Sequence, residues 1–329
     1  MDIIVPLPPE GTFTDPASWQ DATGIIEARS PDVRALARRA FHDRDRASWE
    51  SVQKLLYLWN MEEFRRTTPV TDHGRAVRQA LRNCIIEEQE RVDGDDPGLR
   101  LACYDSFSQD RALDELYHRA IEHRINTHPL LREMQEHHLS PEGVQLFLEN
   151  YYVNNCIFHL HIASQSMSVP FEIRPELAQN FYDELGEGRR DRAHPVLFLK
   201  NFDAFGRPDS VTPLAESLHL MNTKIYCSML AGSYHVGLGC FGFIEVTMPT
   251  QMRAILAGLG RSGLSRDNLE FWRLHISIDE VHGKTWFEEM RQLITTPEQA
   301  QDVLRGGIRG LDGRAGVYDA VWNAVTAAA

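Results

Sequence analysis

Two histidines and an aspartate recur at helical spacing in the C-terminal part of the chain. The stretch 274–282 reads H-x3-D-x2-H through His275, Asp279 and His282. Steps of four and seven residues return to within about 40° of the starting direction on an α-helix, so the three side chains share one face. Two imidazoles and a carboxylate suit borderline divalent metals, iron and manganese included. The triplet therefore predicts a metal site; the alternative is a histidine-bearing face satisfied by water or salt bridges.

A di-iron site in a helical protein needs further ligands, because carboxylates bridge the two irons and hold oxidised metal. Glu149 and His159 are candidates, since both lie in a segment rich in Phe, Leu and Tyr, where an unpaired charge is costly. On a straight helix they would lie about 15 Å apart, the limit for sharing an iron pair. His161 is the rival to His159, because it lies about 200° round the helix from it.

Two further glutamates are candidates of unequal quality. Glu245 is a lone acid in an apolar, glycine-containing stretch, with Pro249 four residues later. A buried glutamate there requires a cation, and the alternative is a glutamate at a helix end. Glu122 lies beside His123 and Arg124, where a salt-bridged surface acid is the default interpretation.

The elements that would position these residues are all helical. Residues 1–30 are rich in Pro, Gly and Thr and predict an extended arm, after which apolar residues recur at helical spacing. Ser140 and Pro141 open a helix predicted to continue to Met167, and Pro297 opens a last helical region weakened by several glycines. Since no strand-like alternation occurs, the predicted fold class is all-α.

Composition limits the possible partners. The chain has 329 residues, of which 43% are hydrophobic, and a formal net charge of −13, which argues against binding to nucleic acid or anionic lipid. Its five cysteines include no CxxC pair, which favours free thiols in a reducing compartment. With no signal-peptide pattern and no apolar run of membrane-spanning length, we expect a cytoplasmic protein without membrane contact.

Five segments together resemble the heme-oxygenase-like di-iron oxidases and oxygenases, over about residues 110–295. An acid-x3-Pro element followed about thirty residues later by H-x3-D-x2-H is the most specific part of this resemblance. The segments are HPLL (128–131), FLENYYVNNCIFH (147–159), NFYDELGEG with AHPVLFLKNF (180–202), IEVTMP (244–249) and FWRLHISIDEVH (271–282).

The resemblance implies a heme-oxygenase-like helical bundle at 101–329 and an N-terminal helical extension at 1–100 that dimerises the protein. It also implies two iron ions. The ligands it implies are Glu149, His159, Glu245, His275, Asp279 and His282, with Glu122 as the additional carboxylate of N-oxygenating members. Members of the family with a glutamate three or seven residues before the first histidine differ from this chain, which has Cys156 and Tyr152 there.

The activity implied is O2 activation through a peroxo-di-iron(III) species, supplied with electrons by an external donor. Within the family we favour N-oxygenation of a small amine, amino acid, or guanidine- or amidine-type substrate in natural-product biosynthesis, on the position of Glu122 and on the N-terminal extension. The alternatives are oxidative C–C cleavage or decarboxylation of an amino or fatty acid, and a metal-free helical binding protein. Polar residues expected to line the substrate pocket are Tyr152, Asn155, Tyr226, Tyr234 and His235, each of which could equally be core packing.

Overall fold

The described residues fold into helices and contain no strand. The structure, a computed structural model, describes residues 16–65, 72–204 and 211–327. They belong to two compact units, Met1–Gly98 and Leu99–Ala329. The prediction of an all-α fold is therefore confirmed.

The first unit has three helices, α1 (Pro16–Phe41), α2 (Arg46–Arg65) and α3 (Asp72–Gly94). Its core contains Ala37, Val52 and Leu81, all fully buried or nearly so. The expected extended arm is wrong for residues 16–30, which form the first half of α1. Burial of Ala22 in this core offsets the weak helix propensity of the segment; residues 1–15 lie outside the described part.

The second unit is built from ten α-helices among the described residues. They are α4 (Gln109–Ile121), α5 (Pro129–Glu136), α6 (Pro141–Asn155), α7 (Phe158–Ser168), α8 (Arg174–Glu184), α9 (His194–Leu199), α10 (Ala215–Ile225), α11 (Tyr234–Arg261), α12 (Glu270–Leu293) and α13 (Pro297–Ala327). The helix predicted from residue 140 onward ends at Asn155, and α7 starts three residues later, so α6 and α7 are separate elements.

Helix α11 is the centre of this unit and packs against both α12 and α13. Glycines permit the approach of α13: a Cβ added at Gly306 would lie 1.9 Å from the Val236 carbonyl oxygen. The glycines that weaken the helical pattern in the sequence are therefore the residues that allow close packing, and α13 runs unbroken for 31 residues. None of the described helices is long and apolar enough to span a membrane.

Candidate metal centre

Helix α12 carries three buried side chains of types that can bind a metal ion, all on one face. His275, Asp279 and His282 are 6%, 2% and 6% exposed, although α12 also presents exposed residues such as Val281. The apolar residues Phe271 and Trp272 are buried on the same helix, so burial of this face follows from ordinary amphipathic packing. The packing takes two histidines and an acid into the interior together.

Asp279 and His282 meet Glu245, which α11 contributes. Ligand atoms of the three residues lie within 4.8 Å of one another. His282 Nδ1 is 3.8 Å from Glu245 Oε2 and 3.9 Å from Asp279 Oδ1. These distances are too long for hydrogen bonds and suit side chains that converge on one ion. We refer to these three residues as the Glu245 cluster.

His275 meets a second pair, Glu184 and His194, again with ligand atoms within 4.8 Å of one another. We refer to these three as the Glu184 cluster. Glu184 is the last residue of α8 and His194 the first of α9. The connection reverses the chain through Gly186, at a φ of 68°, where an added Cβ would lie 2.5 Å from the Ala193 nitrogen. Only glycine fits this position, and the reversal brings Glu184 Oε2 to 2.9 Å from His194 Nδ1.

The two clusters are adjacent. His194 and His275 stand with ring centroids 4.4 Å apart. Burial and then the carboxylates of Glu245 and Glu184 raise the pKa of Asp279 well above its usual range. Glu184 thus acts on a residue of the other cluster, as two neighbouring metal positions require.

The pKa shifts of the cluster residues show that negative charge is concentrated around His282. Burial alone would lower the pKa of His282, but the carboxylates of Glu245, Asp183 and Glu184 raise it to about 9. Burial, assisted by His194, lowers the pKa of His275 to about 3, so this imidazole is neutral and has a free lone pair at neutral pH. A cation that displaces the protons of His282 and Asp279 would relieve the concentration of negative charge.

The donor set fits a pair of iron ions. Glu245 Oε1, Asp279 Oδ2 and His282 Nδ1 are buried and have no hydrogen-bond partner among the described residues. Buried polar atoms in proteins are usually paired, and three unpaired ligand atoms that converge in one cluster are an arrangement that a cation would satisfy. Three carboxylates and three imidazoles are ligands suited to iron in a helical fold.

Neighbouring groups set which nitrogen of each α12 histidine is available. His275 Nδ1 lies 2.7 Å from the Phe271 carbonyl oxygen, so its N–H donates there and Nε2 remains free. His282 Nε2 lies 3.1 Å from Asp183 Oδ2, which leaves Nδ1 facing the Glu245 cluster. Such outer partners fix tautomer and orientation at metal sites.

Aromatic residues surround the Glu184 cluster, and a cavity reaches the other. The Phe271 ring lies 4.1 Å from that of His275, centroid to centroid, and Phe198 packs edge-on against Phe271. A cavity of about 540 Å³ between α4, α11 and α12 includes Asp279 in its lining, together with Val246. The Glu184 cluster therefore packs against aromatic rings, whereas the Glu245 cluster lies beside a cavity large enough for a small molecule.

Three of the residues predicted as ligands lie outside both clusters. Glu149 is half-buried and accepts a hydrogen bond of 2.9 Å from Gln145. Glu122 is exposed at the C-terminal cap of α4. His159 lies nearer the centre, because the charges of Glu184 and His194 both act on its pKa, which burial lowers. Its Nδ1 is buried without a partner in the described part of the chain, and its role as a ligand stays a prediction.

The residues predicted to line the substrate pocket have other neighbours. Tyr152 stacks on Phe198, and Asn155 donates to the Tyr151 carbonyl oxygen at 2.7 Å. Arg309 lies over the ring of Tyr226. Tyr234 and His235 stack on each other at the start of α11, about 15 Å along the helix from Glu245.

Glu184 and His194 were not among the residues assigned as ligands from sequence. Both lie in the segments NFYDELGEG and AHPVLFLKNF, which carry the resemblance, and they are ten residues apart, as are Glu149 and His159. Glycines between them were the available signal, because a Glu–His pair at this spacing meets only if the chain reverses. No such break lies between Glu149 and the end of α6.

Similar proteins were found by sequence and by structure. The 4-chloro-allylglycine synthase of Streptantibioticus cattleyicolor is 26% identical over 244 residues, which are 72% of this chain and 91% of that protein. A protein of unknown function with a heme oxygenase-like fold from Shewanella denitrificans OS217 aligns with a TM-score of 0.53 at 17% identity, over 66% of this chain and 93% of that one. A CADD-like protein of unknown function from Nostoc punctiforme PCC 73102 aligns with a TM-score of 0.55 at 13% identity, over 66% and 98% of the two chains.

These structural likenesses show a heme-oxygenase-like fold. The sequence profile of a family described as iron-containing redox enzymes matches residues 145–315, which include both clusters and more than half of the chain. Family, fold and buried donor set agree, and the chain belongs to this family of iron-containing redox enzymes.

Proposed function

We propose that the protein is a non-heme di-iron oxygenase that uses O2 to oxidise a small amino acid in natural-product biosynthesis. The observation that carries the proposal is the pair of adjacent, buried three-residue clusters. Glu184, His194 and His275 would hold one iron, and Glu245, Asp279 and His282 the other. When bound, iron supplies the O2 activation and electron transfer that no side chain provides.

The protein's own contribution is binding, orientation and exclusion of water. Asp183 holds the His282 ring, and the Phe271 carbonyl holds the His275 ring, so that the lone pairs are set before metal binds. Phe198 and Phe271 keep water from the Glu184 cluster, which protects reactive species from side reactions. An external donor would return the irons to the ferrous state between turnovers.

Two oxidations of an amino acid are candidates for the reaction. N-oxygenation was favoured from sequence through Glu122, but the exposed position of Glu122 gives it no support from the structure. Oxidative C–C cleavage is favoured by the relative from Streptantibioticus cattleyicolor, whose product by name is an α-amino acid with a carbon–carbon double bond in its side chain. With O2 as the oxidant, removal of hydrogen from one side-chain carbon and cleavage of the C–C bond beyond its neighbour would leave such an alkene and release the remaining carbon as an oxidised fragment. We therefore propose C–C cleavage first and N-oxygenation second.

The test begins with iron. Anaerobic reconstitution of the protein with Fe(II) should give about two irons per chain. Glu184→Gln should lose iron, whereas the matched change Glu149→Gln should keep it, because Glu149 lies in neither cluster. Wild-type protein that holds no iron would refute the proposal.

The products then decide between the reactions. Ferrous protein is exposed to O2 with a panel of L-amino acids, and products are identified by mass. Loss of a carbon fragment supports C–C cleavage, and a gain of oxygen with an intact carbon skeleton supports N-oxygenation. Iron-loaded protein that consumes no O2 with any amino acid would leave the family assignment but remove the proposed substrate class.

A further inference from the structure

Lys224 is an ammonium group inside the second unit without a carboxylate partner. It lies on α10, is 1% exposed, and forms no ion pair within the described part of the chain. Its side chain donates to the Asn154 carbonyl oxygen at 3.5 Å, the outer limit of a hydrogen bond, and its ammonium group lies 5.1 Å from the centre of the Phe158 ring. Burying an unpaired charge costs several kcal/mol, about the size of a whole domain's stability, so such lysines are rare unless they have a role.

The side chain of Asn154 is also incompletely bonded. It is 3% exposed, its Oδ1 has no partner among the described residues, and its Nδ2 contacts are long, at 3.4 and 3.5 Å. Asn150, one turn earlier on α6, differs: its Oδ1 accepts from the Leu214 nitrogen and from Ser217 Oγ, each at 2.9 Å. Of these two asparagines, Asn154 is therefore the incompletely bonded one, and its backbone carbonyl is the group that Lys224 contacts.

A second buried cation lies in the same region. Arg314 on α13 is 3% exposed, donates to Gln251 and Tyr151, and forms no ion pair in the residues described. Its charge acts on both Lys224 and Asp279, so it lies near the lysine and near the Glu245 cluster. Burial, then the charge of Arg314, lowers the pKa of Lys224 to about 7.

The charge balance favours an anion in this region. Two ferrous ions would more than neutralise the three carboxylates of the clusters, which leaves Lys224 and Arg314 uncompensated. An acceptor oxygen on Asn154 beside an ammonium on Lys224 offers the two complementary contacts of an α-amino acid. A carboxylate suits Lys224, and an α-ammonium group suits Asn154 Oδ1.

We propose that Lys224 and Asn154 form the subsite that holds the α-carboxylate and α-ammonium groups of an amino acid. Glu245 acts on Lys224 electrostatically, so the side chain of a ligand held there has the Glu245 cluster within its surroundings. Identification of this ligand as the substrate rests on the proposed function; the recognition of an amino acid does not. A lysine that only balances the charge of Glu245 and Asp279 is the competing role.

Calorimetric titration without O2 separates the two roles. The probes are L-norleucine, L-lysine and L-arginine, each compared with the amine that lacks its carboxylate: pentylamine, 1,5-diaminopentane and agmatine. At least one amino acid should bind, and its amine should bind about 10- to 100-fold more weakly, because a charge-assisted contact is lost. Wild-type protein that binds no probe, or that binds acid and amine equally, overturns the proposal without any variant.

Variants assign the discrimination to the lysine. Lys224→Met should abolish the difference between acid and amine, and it should raise the melting temperature, because a buried unpaired ammonium is removed. Lys200→Met, at a lysine paired with Glu270, should keep the discrimination. If the Lys224→Met variant has a lower melting temperature and still binds the amino acid more tightly than the amine, Lys224 serves only to balance the charge of Glu245 and Asp279.

The same titrations distinguish this proposal from the proposed function. They are carried out with and without Fe(II). If the protein takes up no iron but still binds an amino acid more tightly than the matching amine, the subsite is retained and the di-iron oxygenase is refuted. Iron uptake without discrimination would refute the subsite alone.

Discussion

At the scale of single residues, Asp183 determines how the imidazole of His282 is oriented toward the Glu245 cluster. It accepts from His282 Nε2 at 3.1 Å, and Gln179 in turn donates to Asp183 at 2.8 Å. The carboxylate therefore holds the ring with Nδ1 toward Glu245 and Asp279. Asp183 adjoins Glu184 in sequence, so one end of α8 supplies both a cluster residue and the support of another.

We predict that Asp183→Ala weakens metal binding by about 10- to 100-fold, as loss of an outer-shell partner of a metal-bound histidine typically does. Asp183→Asn should lie between wild type and alanine, because it keeps an acceptor but loses the charge. The measurement is an anaerobic Fe(II) titration against a competing chelator. Asp191→Ala, at an exposed aspartate nearby, is the control. Equal affinity for Asp183→Ala and wild type would show that Asp183 is dispensable.

At the scale of elements, α13 packs closely on α11, and this packing supports the helix that contributes Glu245. Gly306 fits against the Val236 carbonyl with no room for a methyl group, whereas Gly316, on the same helix, has only ordinary contacts at 3.8 Å. The two glycines therefore have different functions within one helix. Gly306 permits contact, and Gly316 only lowers helix propensity.

Gly306→Ala should destabilise the protein by about 1–3 kcal/mol or more, because the clash is with backbone that cannot move aside cheaply. Gly316→Ala should stabilise it by about 0.5–1 kcal/mol, through helix propensity and reduced freedom of the unfolded chain. Chemical unfolding of the two variants measures both effects. Similar effects of the two substitutions would contradict close packing at Gly306.

At the scale of the whole molecule, four helices must come together before the centre exists. Glu184 and His194 come from α8 and α9, Glu245 from α11, and the remaining cluster residues from α12. Because burial of their charge opposes folding, we expect metal binding and folding to be coupled. Dimerisation through the first unit stays a prediction from sequence.

Fe(II) should accordingly stabilise the second unit, by about 2.7 kcal/mol at a free concentration one hundred times the dissociation constant. Hydrogen exchange without O2 should show slower exchange with iron in the α8–α9 connection and in residues 265–290. The helices of the first unit, a separate compact unit without either cluster, serve as the internal control. Equal protection of residues 265–290 with and without Fe(II) would refute the coupling.

Some parts of the centre were predictable because they are local. His275, Asp279 and His282 lie within eight residues of one helix, and the helical repeat alone places them on one face. Glu245 was identified because an acid in an apolar helix requires a cation. The all-α fold follows from the same periodicity.

The tertiary structure decided which other residues join them. Glu184 and His194 meet because the chain reverses at Gly186, and Glu149 is left outside both clusters, paired with Gln145. The contact between Lys224 and Asn154 likewise arises where two different helices, α10 and α6, meet. Periodicity along one helix is written in the sequence, but contacts between helices depend on how all of them pack, and spacing alone does not encode that.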